Sequence, residues 1–215
     1  MTPDLFSSQQ HSGRYPLAEQ TMILPGFALP LAETLLAETS RIAALSPPRH
    51  MVTPGGHIMS VAITCCGTAG WITDHHGYRY SKTDPLTAKP WPDMPVSFRQ
   101  LATDAALAAG FPDFIPDVCL INYYKPGARM SLHQDKDEQH LTAPIVSVSL
   151  GMAATFLFGG LLRTDKAIKA QLLHGDVVVW GGCDRLRYHG ILPLQSNPHP
   201  VLGPLRINLT FRQAF

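Results

Sequence analysis

No stretch of the 215-residue chain approaches the ~20 apolar residues of a membrane span. Met1 to Gln10 lacks the basic start and apolar centre of a secretory signal. Cysteine is scarce. Cys65, Cys66, Cys119 and Cys183 form no C-x-x-C pair, which argues against a disulfide scaffold and makes reduced thiols the expectation. A cytoplasmic protein without membrane attachment follows as the expectation. Charge is sparse too, at 15% of residues with a formal net charge of +1. That balance neither requires nor excludes nucleic acid, because an enzyme can gather positive charge locally while staying near neutral overall. There is no sustained βαβ alternation, no internal repeat and no low-complexity tract.

What the chain does have is 45% hydrophobic residues, 19 prolines and 17 glycines. These suit a globular domain of short elements joined by turns, with one sizeable core. Residues 1–15 are polar and read as a frayed terminus. Thr21 to Leu24 reads as a short strand. Leu31, Leu35, Ile42 and Leu45 recur at helical spacing over Leu31 to Leu45, and Ser46-Pro47-Pro48 stops that helix. A second helix is expected from Met94 to Ala109 on Phe98, Leu101, Ala105 and Leu107, with Gly110 as its stop.

Between the helices, residues 51–95 are rich in Gly, Pro, His and aromatics. Ile58 to Thr64 and Tyr78 to Tyr80 read as strands of a hairpin-like flap. Its aromatics suit stacking on flat ligands such as bases, although Trp71 and Trp91 serve equally to cover a small core. From Val118 onward the pattern becomes that of strands: Val118 to Tyr124, Ser131 to Asp135, Ile145 to Leu150, Ala154 to Phe158, Leu172-Leu173, Asp176 to Trp180, Arg187 to Leu192 and Arg206 to Arg212. Short strands separated by turns predict an antiparallel sandwich or jelly roll. The expected class is α+β, a single domain with its core over about 116–215.

The chemistry centres on Ser131-Leu132-His133-Gln134-Asp135-Lys136-Asp137. In a strand, His133, Asp135 and Asp137 share one face. His133 and Asp135 supply two members of a 2-His-1-carboxylate triad, the arrangement that holds non-heme Fe(II) with positions left open. Of the ten histidines, His189 lies in an apolar strand-like run, Tyr188-His189-Gly190-Ile191, and is the favoured third ligand. Lys125, Arg129 and Lys136 nearby read equally as a basic rim or an ordinary solvated face.

In Arg206 to Arg212, Ile207, Leu209 and Phe211 share one face, and Arg206, Asn208, Thr210 and Arg212 the other. That polar face suits a surface strand. It suits a dicarboxylate site as well, because guanidinium groups bind carboxylates bidentately. Asn122 and Tyr124 add neutral hydrogen-bonding groups. Iron beside a dicarboxylate site is what a 2-oxoglutarate-dependent oxygenase requires.

Taken together, Met51 to Gly56, Leu120 to Gly127, Ser131 to Asp137, Gly175 to Gly182 and Arg206 to Arg212 resemble the AlkB family of alkylation-repair dioxygenases, over about Leu17 to Ala214. The resemblance implies a double-stranded β-helix with a nucleotide-recognition lid over about 51–95. It implies Fe(II) on His133, Asp135 and His189, with O2 as oxidant. It implies 2-oxoglutarate held by Arg206 and Arg212, with Asn122, Tyr124 and Asn208 as further contacts. Trp71 would stack on a flipped-out base with His133 on the other face, Tyr78 would touch the nucleic-acid backbone, and Asp137 would approach the base's exocyclic amino group. The implied activity is oxidative demethylation of 1-methyladenine and 3-methylcytosine in single- or double-stranded DNA, and in RNA, by a monomer. Methylated tRNA or a protein side chain is the rival substrate. Residues 1–15, Gln195 to Pro204 and His75-His76 depart from the family pattern.

Overall fold

The computed structural model describes residues 13–215. Most of the frayed segment expected at 1–15 therefore lies outside the described residues, and Tyr15 already begins a strand. In chain order the elements are β1 (Tyr15–Ala18), β2 (Thr21–Leu24), α1 (Ala32–Leu45), β3 (Arg49–Val52), β4 (Ile58–Gly67), β5 (Gly70–Asp74), β6 (Gly77–Ser81), β7 (Thr83–Asp84), β8 (Lys89–Pro90) and α2 (Val96–Ala108). They continue with β9 (Val118–Tyr124), β10 (Met130–His133), β11 (Ile145–Gly151), β12 (Ala154–Phe158), β13 (Ile168–Leu172), β14 (Val177–Trp180), β15 (His189–Ile191) and β16 (Arg206–Arg212).

Eight strands form the larger sheet, in the order β1-β2-β14-β11-β16-β9-β4-β3, and four form the smaller, β10-β15-β12-β13. Their pairings are antiparallel. This is the jelly roll expected from the strand pattern. Both helices are present, the first one residue and the second three residues shorter than expected. Ser46 takes an extended conformation (φ −134°, ψ 91°) because the residue before a proline is driven out of the helical region. Gly110 ends α2 at φ +93°, a left-handed conformation that glycine adopts without strain.

The helices pack on the outer face of the larger sheet. Leu35, Ile42, Phe98 and Leu101 meet Val146, Val148, Val177, Val179, Leu209 and Phe211 there. Leu45 and Leu107 do not join them. Each sits in the last turn of its helix and is exposed. A second core lies between the sheets and includes Val61, Ile63, Leu120, Phe156, Phe158, Trp180 and Ile191. The larger sheet is thus covered on both faces, which explains why all seven residues of β16 are buried. Its apolar side meets the helices, and its polar side faces the interior between the sheets rather than solvent.

The Gly- and aromatic-rich segment is arranged differently from the expected flap. Ile58–Gly67 is not a flap strand. It is the long strand β4, paired with β9 from Ala62↔Tyr123 to Gly67↔Val118. The hairpin is β5–β6, with Trp71 opposite Tyr80 and Thr73 opposite Tyr78. The two tryptophans divide the roles proposed for them. Trp91 is buried, and its indole N–H donates to the Ser81 carbonyl at 2.8 Å. Gly70 lies flat on it, where a Cβ would come within 2.3 Å of the ring. Trp71 instead lines the interior cavity.

Candidate active site

The two sheets enclose a cavity of about 900 Å³. His133 and His189 are direct cross-strand partners at the ends of β10 and β15. The backbones approach closely there, since a Cβ on Gly190 would lie 2.6 Å from the Met130 carbonyl oxygen. Gly190 therefore permits the close approach of the two strands. Asp135 does not continue β10, because the strand stops at His133 and the carboxylate comes from the loop beyond it. The ligating atoms of His133, Asp135 and His189 nonetheless lie within 4.8 Å of one another. His133 Nε2 is 3.5 Å from Asp135 Oδ1, and His189 Nε2 is 3.4 Å from Asp135 Oδ2.

The tautomers follow from the other ring nitrogens. His133 Nδ1 lies 2.9 Å from the Ser131 carbonyl oxygen, and His189 Nδ1 lies 3.0 Å from that of Arg187. A carbonyl only accepts, so each Nδ1 carries a proton and each Nε2 is the ring atom turned toward Asp135. Burial, with His189 alongside, pulls the His133 pKa down to about 4 and keeps it neutral. Burial would raise the pKa of Asp135, but Arg212 and then His189 hold it well below the ordinary carboxylate range. Two imidazole Nε2 atoms and an ionised carboxylate thus converge on one point. A divalent cation satisfies all three, so the donor set fits a metal.

The polar face of β16 forms the adjacent wall. Asn208 Nδ2 donates to Ser147 Oγ at 2.8 Å, and Asn122 Nδ2 donates to Asn208 Oδ1 at 3.2 Å. The Arg206 guanidinium lies over the Tyr124 ring, 4.9 Å from its centroid, and Nη2 donates to Ser149 Oγ at 3.0 Å. Its Nε and Nη1 are buried without a partner, as is Asn122 Oδ1. Burial lowers the pKa of this guanidinium, with Tyr124 opposing the shift. A buried guanidinium without an anion costs several kcal/mol of desolvation, and a ligand carboxylate would supply the missing charge.

Arg212 is placed differently. Nη2 donates to Asp135 Oδ2 at 2.8 Å, and Nη1 donates to Glu138 Oε1 at 2.7 Å and to the Tyr80 hydroxyl at 3.1 Å. Only its Nε lacks a partner. Arg206 and Arg212 thus share a face but are not equivalent.

At the mouth, Trp71 and Tyr78 stack with centroids 5.6 Å apart and planes 17° from parallel. Trp71 Nε1 donates to Asp137 Oδ2 at 2.8 Å, so Asp137, also in the loop rather than on β10, joins Trp71 and not the triad. Arg129 and Lys136 are exposed at the cavity lining, which Lys125 does not reach. His75 and His76 form an exposed ring pair at the β5–β6 turn. Sequence reasoning missed Glu138, Arg185, Ser147, Ser149, Trp180 and Arg163. Ser147 and Ser149 lie on β11 directly opposite Thr210 and Asn208, a partnership that becomes legible only once strand order is known.

Residues 20–212 match the model of the 2OG-Fe(II) oxygenase superfamily. The chain is 57% identical over 211 residues to the alpha-ketoglutarate-dependent dioxygenase AlkB of Escherichia coli (strain K12), covering 98% of this chain and 97% of that protein. The chain belongs to the AlkB family of 2OG-Fe(II) oxygenases. An AlkB homolog of Caulobacter vibrioides (strain NA1000 / CB15N) is 40% identical over 94% of both chains. The solved structure of OsALKBH1 superposes with a TM-score of 0.80 at 29% identity, covering 94% of this chain and all of that one. The AlkB family uses Fe(II), 2-oxoglutarate and O2 and acts on alkylated nucleic acids. No helix among the described residues is long and apolar enough to cross a membrane.

Proposed function

We propose that His133, Asp135 and His189 hold Fe(II), that Arg206 receives the distal carboxylate of 2-oxoglutarate, and that the site oxidatively demethylates 1-methyladenine and 3-methylcytosine. The observation that carries this reading is Arg206, a buried guanidinium with two unpartnered nitrogens in the same cavity as the His133–Asp135–His189 donor triad. A zinc hydrolase would have no use for it.

Bound iron would couple the oxidative decarboxylation of 2-oxoglutarate to hydroxylation of the methyl group, which is lost as formaldehyde. The protein's own groups do the rest. Their Nδ1–H bonds to carbonyls aim both imidazoles. Arg212 orients the metal carboxylate. Asn122, Asn208 and Tyr124, with Arg206, shape a dry receptor for the ketoacid. A methyl group on the pairing edge is out of reach inside a duplex, so the base must be flipped, at a cost of about a few kcal/mol. Trp71 and Tyr78 offer it a stacking platform. The base carries a positive charge, which the Asp137 carboxylate beside Trp71 favours.

Within the expected lid range of about 51–95, β3 and β4 belong to the larger sheet, and the lid is assigned to the β5–β6 hairpin. Four free thiols support a reducing, cytoplasmic setting. DNA is the favoured polymer and the chain acts as a monomer. The deciding measurement is formaldehyde and succinate release, with Fe(II), 2-oxoglutarate and O2, from matched single-stranded oligonucleotides with and without one 1-methyladenine. Lesion-dependent formaldehyde, stoichiometric with succinate, is expected. Succinate without it would move the search to RNA or protein substrates.

A further inference from the structure

Glu138 lies three residues beyond the metal carboxylate, and its side chain is wholly buried. Oε1 accepts from the Tyr80 hydroxyl at 2.6 Å and from Arg212 Nη1 at 2.7 Å, and Oε2 accepts from Arg185 Nη2 at 3.0 Å. Arg185 in turn donates from Nη1 to the Asp135 carbonyl. Tyr80 belongs to β6 and pairs across the hairpin with Trp71. A continuous buried path thus runs from the hairpin through Tyr80, Glu138 and Arg212 to Asp135. Asp135 and Glu138 balance Arg185 and Arg212 in charge, so the group is electrically closed before any metal arrives.

We propose that Glu138 is a positioning residue that couples docking of the β5–β6 hairpin to the metal's carboxylate ligand, acting through Tyr80 and Arg212. The proposal rests on the assignment of the metal to the triad. A divalent cation on Asp135 withdraws negative charge from the oxygen that Arg212 holds. The guanidinium then leans more strongly on its other acceptors, Glu138 and the Tyr80 hydroxyl, and holds β6 more firmly in the docked position seen here. Coupling between two sites is reciprocal, so a substrate that stabilises the docked hairpin tightens the metal by the same factor.

The test is titration of the full chain with Mn(II), read by electron paramagnetic resonance of the free ion. Saturating 2-oxoglutarate is present throughout, with or without a single-stranded oligonucleotide bearing one 1-methyladenine. The ratio of the two Mn(II) dissociation constants is the coupling factor. We expect roughly fivefold or more in the parent chain and a value near one in Tyr80→Phe. The phenylalanine ring keeps the edge contact with Phe215, at 6.0 Å between centroids, so this variant retains its packing. Glu138→Gln should lose the coupling as well. A purely structural role for Tyr80 would weaken both constants alike and leave the ratio unchanged, which would overturn the proposal, as would a parent ratio of one. Absence of Mn(II) binding in the parent would overturn the metal assignment and this proposal with it. Binding that Asp135→Ala abolishes, together with a ratio indifferent to Tyr80, would sink the coupling alone.

Discussion

Replacing Arg206 with methionine separates a ligand-binding role from a structural one. The guanidinium has only neutral partners among the described residues: it donates to Ser149 and meets Tyr124, and no carboxylate faces it. The two unpartnered nitrogens can make charge-assisted bonds to a ligand carboxylate, each worth about 1.5–3 kcal/mol. Losing both costs about 3–6 kcal/mol, a weakening of 2-oxoglutarate binding on the order of a hundredfold to ten-thousandfold. The unliganded protein should respond in the opposite sense. Removing a buried, uncompensated charge recovers a desolvation cost of several kcal/mol, against about 2 kcal/mol for the lost ring contact. Its melting temperature should hold or rise, with each 1 kcal/mol worth about 2–4 °C for a chain of this size. The assay is 2-oxoglutarate affinity by quenching of tryptophan fluorescence in the presence of Mn(II), alongside thermal melts without ligand. A variant that melts more than about 5 °C lower yet still binds 2-oxoglutarate normally would refute the reasoning and make Arg206 a structural residue.

Asp135→Ala should abolish turnover and Mn(II) binding while the circular dichroism of the sheets persists; retained demethylation would remove the iron assignment. Trp71→Ala should reduce turnover of methylated oligonucleotide more than about tenfold, with a much smaller effect on 2-oxoglutarate consumption without substrate. Trp91→Ala, by contrast, should cost about 3–5 kcal/mol of stability, read by urea unfolding; equal behaviour of the two variants would contradict their assigned places. The metal-free protein should lose stability as pH falls from about 6.5 to about 4. Over that window the unfolded chain binds a proton at His133 that the folded chain refuses, its pKa being held near 4. His133→Gln should flatten the slope in urea melts across that range.

Much of the site was legible because strands constrain parity. In β16, Arg206, Asn208, Thr210 and Arg212 share a face in the structure as in the sequence, and β9 begins and ends where its turn residues predict. The same argument lapsed where the strand ended. Asp135 reaches the two histidines, where we place the metal, through a loop, and Asp137, two residues on, turns to Trp71 because loop residues need not alternate. Glu138 was invisible for the same reason, and its partners Tyr80 and Arg185 come from distant elements. Ile58 to Thr64 was rightly read as a strand but wrongly placed in the flap, because its neighbours are rich in glycine and aromatics. Its own alternation of Val61, Ile63 and Cys65 is what seats it beside β9. Leu45 and Leu107 fitted the helical period, but they occur where the helices run past the sheet they cover.

The depth of Arg206 also imposes an order in time. Arg206 is 1% exposed, whereas the His133 side chain is 37% and Tyr78 50% exposed. A base seated between Trp71 and His133 would lie across the route to the cavity floor. The ketoacid must then arrive first, and its four-carbon product can leave only after the nucleic acid has gone. Steady-state kinetics should therefore show compulsory ordered addition, with succinate competing against 2-oxoglutarate. A repaired strand that lingers would hold the enzyme closed to its next cosubstrate, so strand release, rather than bond cleavage, would govern the turnover rate on tightly held nucleic acids.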